Sequence, residues 1–286
     1  MIKYIVVVLV LIFAALGFMY VTINSPLVYQ EAVAFPSNPH IYNNPDRSIK
    51  NIEIVVFYFV PKDRIMSQLA DWREILERHL EELVSFHSLE LRDTSDIHYT
   101  IYPQPVIGLK QSAQYDTDIT QHGNSQALLH VAEEIDTRVF DSAGDLHRQD
   151  FLITREQGYP VLLILYEGVG ASGGIIYDSE SGSVSEIARK LKLPESIVYP
   201  VNIKTVDSFL LLNQKYLTEQ QNGDTGTTIL AHEFYHTLGV PDGYEEKEEN
   251  GIQTAVSTSN DIMGVGRSYP IDKTYLSKET LKGLGL

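Results

Sequence analysis

The sequence predicts one α/β layered domain over residues 51–286, and three observations carry that expectation. Residues 52–60 (Ile-Glu-Ile-Val-Val-Phe-Tyr-Phe-Val) are rich in β-branched and aromatic side chains, the composition of a buried strand. Ile65, Leu69, Trp72, Leu76, Leu80 and Leu83 then recur at spacings of three and four, which predicts a long amphipathic helix. Residues 161–166 (Val-Leu-Leu-Ile-Leu-Tyr) form a second apolar run of strand length. Strands and helices are therefore mixed along one chain, as in layered α/β folds.

The remaining elements follow in order. Pro61 ends the first strand. Residues 97–102 alternate and predict another strand, closed by Pro103 and Pro105. Ser125 is placed to cap a helix carrying Leu128, Ala132, Ile135 and Val139. Gly173, Gly174, Ile175, Ile176 and Tyr177 read as a short strand after a glycine-rich turn. Residues 197–203 are a further strand candidate, weakened by Pro200. Asp224 or Thr225 can cap a helix whose Ile229, Leu230, Phe234 and Leu238 face inward. Gly239 stands where a left-handed residue past a helix end is wanted. Residues 277–284 predict a short terminal helix with Ser277 as its cap.

The N-terminal end reads differently. Residues 4–21 carry no charge, follow Lys3, and just reach the length of a membrane-spanning helix. The first charge beyond them is Glu31, so the flanks orient the N-terminus to the cytoplasm and the rest of the chain outward. Residues 1–22 are thus expected to be a transmembrane signal-anchor. A cleaved signal peptide, giving a secreted protein, is the rival; the small-x-small triplet Ala32-Val33-Ala34 lies far beyond the apolar run. Residues 23–50, with Pro26, Pro36, Pro39 and Pro45, read as an extended stalk. The formal charge of −16 argues against a nucleic-acid partner. There is no cysteine, so disulfide stapling is excluded.

The chemistry concentrates in residues 232–242, His-Glu-Phe-Tyr-His-Thr-Leu-Gly-Val-Pro-Asp. Two histidines four apart on a helix project from one face, so His232 and His236 can reach one ion. Glu233 beside the first can hold a water against that ion and act as general base. Gly239 can end the helix, and Asp242 can fold back as the third ligand. Zinc takes imidazole nitrogen and carboxylate oxygen, and catalytic sites leave one position open. Two histidines and one carboxylate leave less positive charge at the metal than three histidines would, so more of the water activation falls to Glu233. Glu279 on the terminal helix is the alternative third ligand. The group Glu245, Glu246, Glu248 and Glu249 reads as a solvated acidic loop. Asp116 and Asp118 could touch calcium. The other histidines, His79 and His87 among them, lack metal spacing and read as surface or capping residues.

With glycine at its bend, this motif resembles the metzincin clan of zinc metalloproteases, and Asp242 is similar to the aspartate ligand of its snapalysin-like members. Asn260-Asp261-Ile262-Met263-Gly264 is similar to the clan's Met-turn, with Met263 on the methionine. The resemblance implies a mixed twisted sheet with a long backing helix, an active-site helix and a C-terminal helix. It also implies an edge strand that pairs with substrate backbone, for which Gly173 to Tyr177 is the candidate. Some members carry a tyrosine two residues after the methionine to steady the transition state; here that position is Val265. Tyr269 and Tyr244 are possible substitutes. The expected function is a zinc endopeptidase with one catalytic Zn2+, hydrolysing peptide or protein substrates outside the cytoplasm on a membrane anchor. Two other functions compete: a non-catalytic zinc-containing peptide-binding or scaffolding protein, and a zinc amidase acting on cell-envelope peptides.

Overall fold

A computed structural model describes residues 37–116, 125–140, 144, 146, 158–169, 172–176, 208–218, 225–249, 252–256 and 259–286. Met1–Ser37 and Asn38–Leu286 separate as two units, and the fold described here is that of the second. The apolar run at 4–21 and the strand candidate at 197–203 lie outside the described residues. No helix among the described residues is long and apolar enough to cross a membrane.

The chain enters through a small hairpin, β1 (His40–Ile41) and β2 (Asn44–Ser48). This corrects the stalk boundary for residues 38–50. Ile41 and Ile49 are buried in the main core. The amides of His40 and Asn43 donate to the carbonyls of Leu284 and Gly283, and that of Tyr42 donates to Leu238. A proline- and asparagine-rich segment reads as linker from composition, but here its backbone donors are satisfied by the far end of the chain.

Strand β3 (Asn51–Val60) is an inner strand of the main sheet and the longest among the described residues. A 3-10 turn at Lys62–Ser67 follows, and α1 spans Trp72–Glu90. The helix therefore starts later than the spacing predicts, leaving Ile65 and Leu69 outside it. The Leu69 amide donates to the Tyr58 hydroxyl at 2.7 Å instead of entering a helix. Next come β4 (Asp96–Ile101), β5 (Val106–Ile107), α2 (Ser125–Phe140), β6 (Tyr159–Tyr166) and β7 (Gly173–Ile176). They are followed by β8 (Ser208–Asn213), α3 (Lys215–Thr218) and α4 (Gly226–Thr237). The hairpin β9 (Glu245–Glu249) and β10 (Ile252–Val256) and the terminal α5 (Lys278–Gly283) complete the chain. The acidic segment is thus a paired strand rather than a loop. Ser277 caps α5 as expected, its hydroxyl accepting from the Thr280 amide.

The main sheet runs β4-β3-β6-β8-β7, with β5 also pairing with β3. Among the described residues every pairing in this sheet is parallel except that of β7 with β8, so the sheet is mixed and β7 is its antiparallel edge. Because side chains alternate across a strand, β3 serves two cores at once. Ile54, Val56 and Tyr58, with Leu163 and Leu210, pack with Leu76, Leu80 and Leu83 of α1 and Leu230 and Phe234 of α4. Val55, Phe57 and Phe59, with Ile164 and Leu211, pack with Val131, Ile135 and Val139 of α2. Burial on both faces explains why these strands read as continuous apolar runs.

Two histidines of α1 fix α4 against it, contrary to a surface assignment. His79 Nδ1 lies 2.6 Å from Thr227 Oγ1, and His87 Nδ1 lies 3.2 Å from the Tyr235 hydroxyl. Both histidines are buried. The Ser95 hydroxyl donates to the Ile49 carbonyl, so its oxygen accepts from His87 Nε2, and Nδ1 accepts from Tyr235. Burial pushes the His87 imidazole down to about 3, which keeps it neutral.

Leu163→Ala, at a fully buried position between sheet and helices, is expected to cost about 2–5 kcal/mol in urea unfolding. Leu89→Ala, on the exposed face of α1, should stay within about 0.5 kcal/mol of wild type. The depressed His87 binds its proton more weakly folded than unfolded. Its contribution is therefore a loss of stability as pH falls from about 6.5 toward about 3. Denaturant titrations across that window should show the decline, and His87→Gln should flatten part of it.

Candidate metal centre

Helix α4 carries both histidines of the motif. Thr225 sits at its N-cap but makes no side-chain capping bond, so the capping expectation fails for it; Asp224 lies outside the described residues. The first turn is held instead by its buried threonines: Thr227 by His79 and Glu82, and Thr228 by the Tyr269 carbonyl at 2.7 Å. The end of the helix follows the sequence reading. Gly239 adopts φ +82°, its amide donates to the His236 carbonyl, and the Val240 amide reaches back to Tyr235. That pair of bonds is a Schellman ending, which needs the left-handed residue. An added Cβ at Gly239 would also stand 2.8 Å from the Ile176 side chain.

The bend returns the chain toward the histidines. His232 Nε2 and His236 Nε2 are 3.2 Å apart. Asp242 Oδ1 stands 3.4 Å from the first and 3.3 Å from the second. The three donor atoms form a nearly equilateral triangle. Tetrahedral zinc with bonds of about 2.0–2.1 Å sets its donors about 3.3 Å apart, so this set fits that ion. The other ring nitrogens are already engaged: His232 Nδ1 donates to the Ile262 carbonyl at 2.9 Å and His236 Nδ1 to the Val240 carbonyl at 2.8 Å. Those bonds fix the tautomer that leaves both Nε2 lone pairs facing inward. His232, Glu233 and His236 also offer ligand atoms within 4.8 Å of one another, a group that could hold a metal ion. Glu279, by contrast, is exposed in the first turn of α5.

Electrostatics match the geometry. Burial raises the Glu233 carboxyl, and Asp242 adds to that; His236, Arg267 and an amide bond from Gly174 pull the other way. Burial, then the His236 charge, pushes His232 down to about 3. Burial opposes ionisation of Asp242, yet the His236 bond and the charges of His236, His232 and Arg267 hold its carboxyl below the usual range.

The segment around Met263 braces the site from below. The Gly264 amide donates to the Asp261 carbonyl at 2.8 Å, closing a tight turn, and Met263 is buried in the core. Asp261 Oδ1 accepts from the Met263 amide, and Oδ2 from the Ser277 amide. The Ile262 carbonyl takes the His232 ring, while the Met263 carbonyl takes the Gly243 amide at 2.7 Å.

Edge strand β7 lies against α4. A Cβ at Gly174 would stand 2.0 Å from the Glu233 carbonyl oxygen, whereas one at Gly173 meets nothing within 4 Å. Gly173, Gly174, Ile175 and Ile176 thus sit on the sheet edge beside the histidines; Tyr177 lies outside the described residues. Of the two tyrosines considered from sequence, Tyr244 accepts from Arg267 Nη1 at 3.0 Å, and burial, then the Asp242 charge, raises its phenol to about 12. Tyr269 is exposed, and it is its backbone carbonyl that reaches α4. Asp116 is committed elsewhere: its carboxylate binds Arg64, the Tyr166 hydroxyl and the Val169 amide, which argues against calcium there. Asp118 lies outside the described residues. Sequence reasoning missed Arg267, whose charge opposes the rise of the Glu233 carboxyl, and Tyr216, whose phenol is raised by burial and then by Glu233. Neither falls in a motif or a periodic pattern.

No protein-family model and no curated protein matches the chain. Among solved structures it is similar to catalytically inactive OgpA from Akkermansia muciniphila in complex with an O-glycopeptide (glycodrosocin) substrate. The TM-score is 0.34 at 12% identity, covering 82% of this chain and 59% of that one. The chain therefore spans less than two thirds of that structure's length.

Gly174→Ala is expected to cost about 1–3 kcal/mol in denaturant unfolding, through overpacking against Glu233. Gly173→Ala, with open space around it, should unfold within about 0.5 kcal/mol of wild type.

Proposed function

We propose that this chain is a zinc-dependent endopeptidase of metzincin type. The observation that carries the reading is the triangle of His232 Nε2, His236 Nε2 and Asp242 Oδ1, with sides of 3.2–3.4 Å and Glu233 beside it. Those three residues would hold the ion. A bound zinc supplies Lewis acidity toward a carbonyl oxygen and makes a water easier to deprotonate.

Glu233 is the general base. Its carboxylate takes a proton from the attacking water and returns it to the departing amide nitrogen, so the residue ends each cycle ionised. Burial raises its carboxyl above the usual carboxylate range. Among the described residues β7 ends the sheet, and such an edge is suited to receive an extended peptide as an added strand, its glycines allowing close approach. In this reading residues 1–22 anchor the chain in a membrane and the site faces away from the cytoplasm.

Zinc content and cleavage of a peptide library, compared for wild type and Glu233→Gln, test the assignment. The variant should keep its zinc and lose turnover by about 10²–10⁴-fold. Bound zinc with undiminished cleavage would sink it.

A further inference from the structure

Taking the metal site as proposed above, its three donors are not fixed by the same element. The spacing of His232 and His236 is set within α4. Asp242 lies past the helix end, and its place 3.3–3.4 Å from both imidazoles depends on the direction in which the chain leaves Leu238 and Gly239. The His236 ring depends on the same bend, since its Nδ1 donates to the Val240 carbonyl at 2.8 Å.

The N-terminal hairpin lies on that bend. Carbonyls at a helix end have no partner within their own helix. The Tyr42 amide donates at 2.9 Å to the carbonyl of Leu238, the residue that ends α4. The amides of Asn43 and His40 donate to the carbonyls of Gly283 and Leu284 at 2.9 and 3.0 Å, where α5 ends. One short turn thus caps two helices at once. Packing joins the same partners. A Cβ added at Gly239 would stand 3.4 Å from Ile41 Cγ2 and 3.6 Å from Tyr42 Cβ. One added at Gly283 would stand 2.2 Å from Tyr42 Cε2, so the phenol ring fills the space that a side chain there would need. At the other end of α5, the Ser277 amide donates to Asp261, whose neighbour Ile262 accepts from the His232 ring. The hairpin therefore completes a circuit of bonds that runs from His232 through α5 and back to the bend beyond His236.

We propose that Tyr42 is a positioning residue for the metal centre. Its amide and ring hold the bend at Leu238 and Gly239 against the end of α5, which sends Asp242 back toward His232 and His236. It acts through the bend and not on a donor atom.

The test measures zinc affinity of the full chain by competition with a chromogenic chelator, together with the visible spectrum of the Co2+-loaded chain. Tyr42→Ala removes the ring. Gly283→Ala displaces it from a residue far from the donors in sequence. Each should weaken zinc by about 2–30-fold, the range of coupling carried through packed elements, and alter the Co2+ bands. The double variant should be no weaker than the poorer single, because both changes act on one contact. Tyr42→Phe, which keeps ring and amide, should match wild type. Ile135→Ala, in the core beneath α2, should lower the thermal midpoint and leave zinc affinity and the Co2+ spectrum unchanged. Tyr42→Leu, which keeps the amide and apolar bulk, should give a smaller loss than alanine and carries the comparison if Tyr42→Ala does not fold. Wild-type affinity and spectrum in Tyr42→Leu and Gly283→Ala, with zinc lost in Asp242→Ala, would overturn the proposal and leave the metal site standing. An equal loss of affinity in Ile135→Ala would overturn it too, since any loss of stability would then suffice. Unchanged affinity in Asp242→Ala would instead remove the ligand assignment on which the proposal rests.

Discussion

Two neighbouring carbonyls hold the candidate site together. The Ile262 oxygen takes the proton of the His232 ring, and the Met263 oxygen takes the Gly243 amide next to Asp242. One turn thereby sets the distance between a donor on α4 and a donor beyond it. The turn depends on Asp261, which is buried and uses its carbonyl and both carboxylate oxygens on backbone amides. Charged acceptors of this kind make stronger bonds than neutral ones. Through Ser277 the same carboxylate reaches the cap of α5, so the terminal helix and the metal donors share one support.

Behind the site the constraint is packing. Alternation along β3 divides the core, and the side facing α1 and α4 carries the largest buried cluster. Apolar contact positions α4 but is non-directional. Direction comes from His79 and His87, which bind Thr227 and Tyr235. Buried polar partners of this sort cost free energy unless satisfied, and these are satisfied at both ring nitrogens. The site thus rests on a helix fixed in rotation as well as in depth.

Elements with a strong local signal were legible. The strand read at 52–60, the helix carrying Ala132, Ile135 and Val139, the bend at Gly239 and the Ser277 cap stand where spacing and capping chemistry put them, while Ser125, read as a cap, lies inside its helix. The misses share a physical cause. The first backing helix begins at Trp72, not Ile65, because Tyr58 captures the Leu69 amide from across the sheet. Residues 38–50 fold because distant carbonyls accept their amides. The strand Ser208–Asn213 went unread because its apolar run is only the four residues from Phe209 to Leu212, shorter than the runs that mark the other core strands. The two buried histidines looked like surface groups because their partners lie 148 residues away.

The sequence by itself determined two histidines on a common helical face, a carboxylate beside the first and the left-handed bend after them. These follow from side-chain direction on one helix and from the backbone freedom of one glycine. Only the tertiary structure showed how the bend brings Asp242 Oδ1 within 3.3–3.4 Å of both imidazoles while Glu279 stays exposed. It also decided which carbonyls fix the rings, and that β7 is an edge strand resting on Glu233. Those choices depend on sheet order and on hydrogen bonds between segments far apart in the chain. Local periodicity cannot encode such pairings, because each becomes possible only once the core has brought the partners together.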